Sequence, residues 1–203
     1  SQLCAYFLSA EMGQTVLDIC SAPGGKTFTT AEYMHNSGKI IACDMYEHKL
    51  KLIEKGAKRL GIDIVETCLR DGSSDENPLP MADRILCDVP CSGLGVLSRK
   101  PEIRYKDDLI DTNLADIQYK ILCESAKYLK KGGKLVYSTC TLNPQENNAN
   151  AAKFLAEHSD FEGVALELPP QLGRAYEEQP YEITLMSHSY DGDGFYISVF
   201  TRR

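Results

Sequence analysis

The chain has 203 residues, 43% of them apolar, with 22 Lys and Arg against 29 Asp and Glu for a net charge of −7. That length and composition suit one globular domain with a substantial core, exclude the disordered and collagenous classes, and leave no run near the roughly 18 apolar residues of a membrane span. The acidic balance argues against a domain that holds nucleic acid by bulk charge alone.

Residues 15–19 (Thr-Val-Leu-Asp-Ile) read as a buried strand, 20–26 as a turn, 27–35 as a helix and 39–43 as a second strand. Over 47–60 the apolar positions Leu50, Ile53, Ala57 and Leu60 fall three or four apart on one helical face, and Gly61 supplies the stop. Residues 62–67 read as a third strand, 73–80 as polar turn and 82–87 as a fourth strand. The segment 88–106, with Pro90, Gly93, Gly95 and Pro101, is a long irregular loop, a length that in a compact domain points to function. Residues 109–129 predict a long helix with Leu114, Ile117, Ile121, Leu122, Ala126 and Leu129 on its buried face, ended by Lys131-Gly132-Gly133 before a strand at 134–138. Asn143-Pro144-Gln145-Glu146 reads as a helix start: Asn143 as N-cap, Pro144 at the first helical position and Glu146 three residues after the cap, with the helix running to about 158. Strands at 161–168, 183–186 and 195–200 close the sheet, the last two joined through Asp191-Gly192-Asp193-Gly194. Alternating strands and helices predict an α/β fold with a mostly parallel sheet, and the absence of repeats or linkers predicts one domain over 1–203.

The turn Cys20-Ser21-Ala22-Pro23-Gly24-Gly25-Lys26 lies between a strand and a helix, where small residues and backbone amides let a ligand come close. Its glycine spacing matches neither a Walker A loop nor GxGxxG, which disfavours a triphosphate or a dinucleotide. Asp44 ends the second strand, Asp71 follows the third and Asp88 the fourth, so in an open parallel sheet these acids converge on the ligand edge. Each alone is also ordinary capping or turn chemistry, as for Asp71 before Gly72. Together they fit an adenosyl ligand with a ribose and no phosphate, the pattern of an S-adenosylmethionine site.

Eight cysteines without a Cys-x-x-Cys, in a chain with no signal-like start, read as reduced thiols of a cytoplasmic protein with no metal site, and most of them as small core residues. Cys91 and Cys140 differ from Cys43 and Cys87: they follow the fourth and fifth strands instead of lying inside one, and so emerge on the ligand edge. Two thiols beside a methyl donor suit an acceptor carbon too weak to attack unaided, such as carbon 5 of cytosine. A thiolate added to carbon 6 makes carbon 5 nucleophilic, and a base then removes the carbon 5 proton. The spacing alone leaves open which cysteine adds and which assists release.

Asp18-Ile19-Cys20-Ser21-Ala22-Pro23-Gly24-Gly25-Lys26, Asp88-Val89-Pro90-Cys91-Ser92-Gly93 and Ser138-Thr139-Cys140-Thr141 followed by Asn143-Pro144-Gln145-Glu146-Asn147 resemble, in order, the motifs of the RNA cytosine-C5 methyltransferases of the Fmu/Sun (RsmB) and NOL/NOP group. The resemblance implies a Rossmann-like class I S-adenosylmethionine-dependent methyltransferase fold, with a seven-stranded sheet ending in an antiparallel hairpin. It implies Cys140 as the nucleophile and Cys91 as the thiol that helps release product. The cofactor pocket would comprise Cys20 to Lys26, Asp44, Asp71 and Asp88, with Lys26 and Asp88 also touching the base. The implied substrate is 16S ribosomal RNA, with transfer RNA as the alternative, and a noncatalytic S-adenosylmethionine- or RNA-binding module as a rival of another class. Arg99, Lys100, Arg104 and Lys106, with Tyr105 among them, are candidates to hold RNA phosphates. Family members carry amino-terminal RNA-binding regions, so the chain is expected to be a catalytic domain without them, and a monomer.

Overall fold

The apolar runs form an eight-stranded sheet in a computed structural model, which describes residues 2–105, 112–169, 179–186 and 192–203. Strands β1 (Thr15–Asp18), β2 (Lys39–Asp44), β3 (Val65–Leu69), β4 (Ala82–Asp88) and β5 (Leu129–Thr139) are parallel, in the order β3-β2-β1-β4-β5. Three more complete it: β6 (Phe161–Gly163), β7 (Glu182–Leu185) and β8 (Phe195–Arg202). β8 runs antiparallel to β5, and β6 and β7 lie end to end along its other edge, β6 against Phe200 to Arg202 and β7 against Phe195 to Ser198. Eight strands thus fill seven positions, as expected of a mostly parallel sheet with an antiparallel terminal hairpin.

Because side chains alternate along a strand, neighbouring residues feed two different cores. Leu17, Ile85, Leu135 and Tyr137 face helices α4 (Thr112–Ala126) and α5 (Asn148–Glu157), which supply Ile121, Leu122 and Phe154. Val16, Leu86 and Val136 face α1 (Gln2–Leu8) and α2 (Gly25–Tyr33), which supply Phe7, Leu8, Ala31 and Met34. Helix α3 (Glu47–Leu60) covers β2 with Leu50 and Ile53 against Ala42, and ends at Gly61, whose φ of +67° suits glycine. No helix among the described residues is long and apolar enough to cross a membrane.

Several boundaries differ from the sequence expectation. The third strand starts at Val65, because Ile62 N–H still closes the end of α3 on the Ala57 carbonyl. Strand β5 begins at Leu129, where a helix end was expected, and Lys131-Gly132-Gly133 sits within the strand near its register shift against Ala82 and Arg84. Leu60 and Ile117, expected on buried faces, are exposed, and Gln118 is fully buried. The buried face of α4 holds Ile121, Leu122 and Ala126 as expected, and also takes in Ser125 and Gln118, the latter because it faces polar partners. Helix α5 starts at Asn148, not after Asn143, and of 161–168 only Phe161–Gly163 pairs as strand. The expected first turn of α4 before 112, and Asp191 of the terminal turn, lie outside the described residues.

Candidate active site

All five parallel strands end on one edge, and the acids expected there are there: Asp18, Asp44 and Asp88 are the last residues of β1, β2 and β4, and Asp71 follows β3. The loop from β1 to α2 crosses the end of β2, with Ser21 N–H and Ser21 Oγ both donating to the Cys43 carbonyl at 2.9 and 2.8 Å. Ala22 packs against the Leu50 and Ile53 cluster, and Cys20 joins the main core. Gly24 has φ +106°, and a Cβ there would stand 2.5 Å from the Phe28 ring, so the turn requires glycine. At Gly25, the first residue of α2, a Cβ would meet nothing within 4 Å, so the loop presents an open, small-residue face beside exposed Pro23.

The donor set suits an adenosyl ligand. Asp44 is buried with one carboxylate oxygen accepting Tyr46 N–H at 3.0 Å, and Asp71 is exposed with one oxygen accepting both Ser73 N–H and Ser73 Oγ at 2.8 Å, which leaves acceptors on both acids for hydroxyl or amino hydrogens. The nearest cations, Lys26 and Lys49, are each turned onto an acid, Asp88 and Asp44. Beneath the loop Asp18 accepts Thr27 Oγ1 at 2.6 Å on one oxygen, while the other is buried without a partner. Burial pushes the Asp18 carboxyl up to about 7, against the lowering by Thr27.

Asp88 marks the second half of the site. Lys26 Nζ lies 2.5 Å from its Oδ2 and Ser138 Oγ donates to its Oδ1 at 2.8 Å. Burial works against the Lys26 ammonium, but the adjoining carboxylate outweighs it and holds the pKa up at about 12, so this lysine is a fixed positive charge. Three residues past the end of β4, Cys91 Sγ lies 3.0 Å from Cys140 Sγ, and Cys140 N–H donates to Cys91 Sγ at 3.2 Å. The Cys91 hydrogen bond holds the Cys140 thiol below its ordinary pKa in spite of burial, while the same bond and burial raise that of Cys91. The shared hydrogen bond thus favours the thiolate on Cys140 over the thiolate on Cys91. Cys4, Cys43 and Cys87 are buried, and burial pushes Cys4 to about 11 and Cys87 to about 12, as for inert core thiols.

The loops bearing the two thiols meet a third one. Gly95 N–H donates to the Cys140 carbonyl at 3.0 Å and Gly194 N–H to the Gly95 carbonyl at 2.8 Å, with Arg99 Nε 3.1 Å from Asp193 Oδ2 beside them. Thr139 Oγ1 donates to Asn147 Oδ1 at 2.6 Å, and Asn147 Nδ2 to the Thr141 carbonyl at 3.0 Å, clasping the turn around Cys140. Of the basic candidates, Arg99, Lys100 and Arg104 are exposed, Arg99 in its ion pair with Asp193, and Tyr105 is 85% exposed; Lys106 lies outside the described residues. Sequence reasoning missed Gln118 and the role of Glu146: a polar residue has no place in an apolar count, and the glutamate was explained by a capping pattern.

Comparison with known proteins identifies relatives of the chain. A family described as 16S rRNA methyltransferase RsmB/F matches residues 5–201. The chain is 42% identical over 205 residues to the "Probable ribosomal RNA small subunit methyltransferase B" of Bacillus subtilis, covering 97% of this chain and 45% of that protein. It is 35% identical over 206 residues to the "Ribosomal RNA small subunit methyltransferase B" of Klebsiella pneumoniae, covering all of this chain and 45% of the other. The crystal structure of NSun6 from Pyrococcus horikoshii with SFG superposes with a TM-score of 0.87 at 29% identity, over 99% of this chain and 51% of that one. The chain thus spans about half the length of the curated relatives it matches.

Proposed function

The chain belongs to the RsmB/F family of 16S rRNA methyltransferases, and on that footing we propose that it methylates carbon 5 of a cytosine in small-subunit ribosomal RNA through a covalent bond from Cys140 to carbon 6. The observation that carries the reading is the thiol pair, 3.0 Å apart beside Lys26 and Asp88 at the strand ends. A methyltransferase acting on nitrogen or oxygen has no use for two thiols at that place. S-adenosylmethionine supplies the methyl group when bound, and the glycine turn with Asp44, Asp71 and Asp88 would hold it.

The chain's own residues account for the remaining steps. Cys140 Sγ, as thiolate, forms a bond to carbon 6, and the carbon 5–carbon 6 π electrons shift into the ring. Asp88 keeps lone pairs to accept from the cytosine amino group, and the Lys26 ammonium brings positive charge to where the ring gains electrons. Once Cys140 is bonded to carbon it is no longer an anion competing for the shared hydrogen bond, so Cys91 gives its own thiol proton to solvent water, and Cys140 N–H supports the resulting Cys91 thiolate. After methyl transfer to carbon 5, the Cys91 thiolate takes the carbon 5 proton, the C–H electrons re-form the carbon 5–carbon 6 double bond, and the bond from carbon 6 to Cys140 breaks with its electron pair returning to Cys140 as thiolate. Exposed Arg99, Lys100 and Arg104, on the loop following Cys91, are suited to flanking phosphates.

The test is methyl transfer from radiolabelled S-adenosylmethionine to unmodified small-subunit ribosomal RNA, with the modified nucleotide mapped. Cys140→Ser should abolish transfer, and Cys91→Ala should accumulate a protein–RNA adduct that survives denaturant. Methylation that survives Cys140→Ser, or a label mapped to a nitrogen, would overturn the reading, and a label found only on transfer RNA would overturn its substrate.

A further inference from the structure

Glu146 is almost completely buried, and the chemistry described above does not use it. Its carboxylate receives four donors. Ser92 Oγ and Asn143 Nδ2 reach Oε1 at 2.5 and 3.0 Å; Ser92 N–H and Gln118 Nε2 reach Oε2 at 2.9 and 2.8 Å. Tyr137 Oη also donates to the Glu146 carbonyl at 2.6 Å, fixing its backbone to β5. Burying a carboxylate costs several kcal/mol unless its lone pairs are matched, and here both oxygens are matched by two donors each.

The donors are distributed so as to bracket Cys91. On its carboxyl side, Ser92 is held by both backbone and side chain to Glu146; on its amino side, the Pro90 carbonyl accepts the same Gln118 amide, at 2.8 Å, that donates to Glu146. Asn143 and Ser92 Oγ, the latter 2.7 Å from Thr141 Oγ1, carry the linkage to the loop of Cys140. Cys140 itself has independent supports, in Gly95 and Asn147.

We propose that Glu146, with Gln118, is the positioning residue of Cys91: it fixes that thiol against Cys140 and so serves product release more than thiolate addition. The inference rests on the cytosine-C5 reading. It assigns Glu146 to the second half of the reaction, where Cys91 Sγ has to reach the carbon 5 proton. Glutamine has the same shape but offers one acceptor oxygen and one amide donor, so Glu146→Gln breaks the fourfold match without opening a cavity.

The test compares Glu146→Gln, Gln118→Met and Cys91→Ala, using unmodified small-subunit ribosomal RNA and radiolabelled S-adenosylmethionine. It reads single-turnover methylation, steady-state turnover and denaturant-stable adduct, together with cofactor affinity and the melting temperature. A thiol displaced by about 1 Å can lose about 100-fold in rate. Glu146→Gln should therefore lower steady-state turnover at least about tenfold, lower single-turnover methylation by a clearly smaller factor, and accumulate adduct as Cys91→Ala does. Gln118→Met should do the same more weakly, which keeps the test open if Glu146→Gln folds poorly. Equal loss of single-turnover and steady-state rates without adduct, where Cys91→Ala does form adduct, would overturn the positioning role alone. Absence of adduct in Cys91→Ala would overturn the underlying assignment of the thiols, and this inference with it.

Discussion

Replacing Gly95 with alanine should disturb the junction of the three loops around the cysteine pair. Gly95 is buried, and a Cβ on it would stand 2.1 Å from the Gly194 carbonyl oxygen, 2.6 Å from the Gly194 carbonyl carbon and 2.8 Å from the Cys140 carbonyl oxygen. All three are backbone atoms, so no side chain can swing aside. Overpacking of this kind costs about 1–3 kcal/mol, and the two hydrogen bonds it would strain, Gly95 to Cys140 and Gly194 to Gly95, add about 1 kcal/mol each. At roughly 2–4 °C per kcal/mol for a chain of this size, the melting temperature should fall by roughly 6–20 °C if the turn stays docked. If the turn undocks, the strain is relieved but the Cys140 loop loses its support, and methyl transfer should drop by about 100-fold for a shift of about 1 Å. Calorimetry and single-turnover methylation of Gly95→Ala read both outcomes. A variant with the parent's melting temperature and the parent's rate would refute the reasoning, since the contact could then be neither tight nor functional.

Gly25→Ala should leave the melting temperature unchanged or raise it, because its Cβ enters open space and alanine favours the helix by up to about 1 kcal/mol. Titration calorimetry should nevertheless show S-adenosylmethionine binding about tenfold weaker or worse, and unchanged affinity would remove the ligand from that face. Asp18 has a folded pKa of about 7, above its unfolded value, so its contribution to stability is fully present below about pH 4 and is lost as the pH rises towards 7. Asp18→Asn keeps an acceptor for Thr27 and should become progressively more stable than the parent between those pH values in chemical denaturation; a constant difference across that range would refute the assignment. Alkylation of Cys140 by iodoacetamide, followed by mass spectrometry, should titrate below an ordinary thiol and move upward in Cys91→Ala, which removes the donor. No movement would mean that Cys91 does not set the Cys140 charge.

Much of the site was legible as motif order. The glycine turn after β1, the acids at Asp44, Asp71 and Asp88, and the thiols after β4 and β5 all occupy the strand ends that the alternation of apolar runs predicts. Asp71 shows how far such a reading reaches, since its turn bonds to Ser73 and its position on the ligand edge are both present. The α4 face was legible at Ile121, Leu122 and Ala126, but a count of apolar residues has no way to include buried Gln118. Glu146 was misassigned because Asn143-Pro144-Gln145-Glu146 satisfies a capping pattern locally, whereas its carboxylate accepts from Ser92 and Gln118, 54 and 28 residues away.

Strand, helix and turn signals depend on neighbours along the chain, so periodicity and small-residue spacing could locate the fold class, the cofactor turn and the two exceptional cysteines. The pairing of β4 with β5 depends on contacts between segments some 50 residues apart, and it brings Cys91 within 3.0 Å of Cys140. It also turns a surface-like glutamine and a cap-like glutamate into one buried polar cluster. Hydrogen-bond partners in three dimensions are chosen by sheet order and helix phase, and neither is a property of any local stretch of residues.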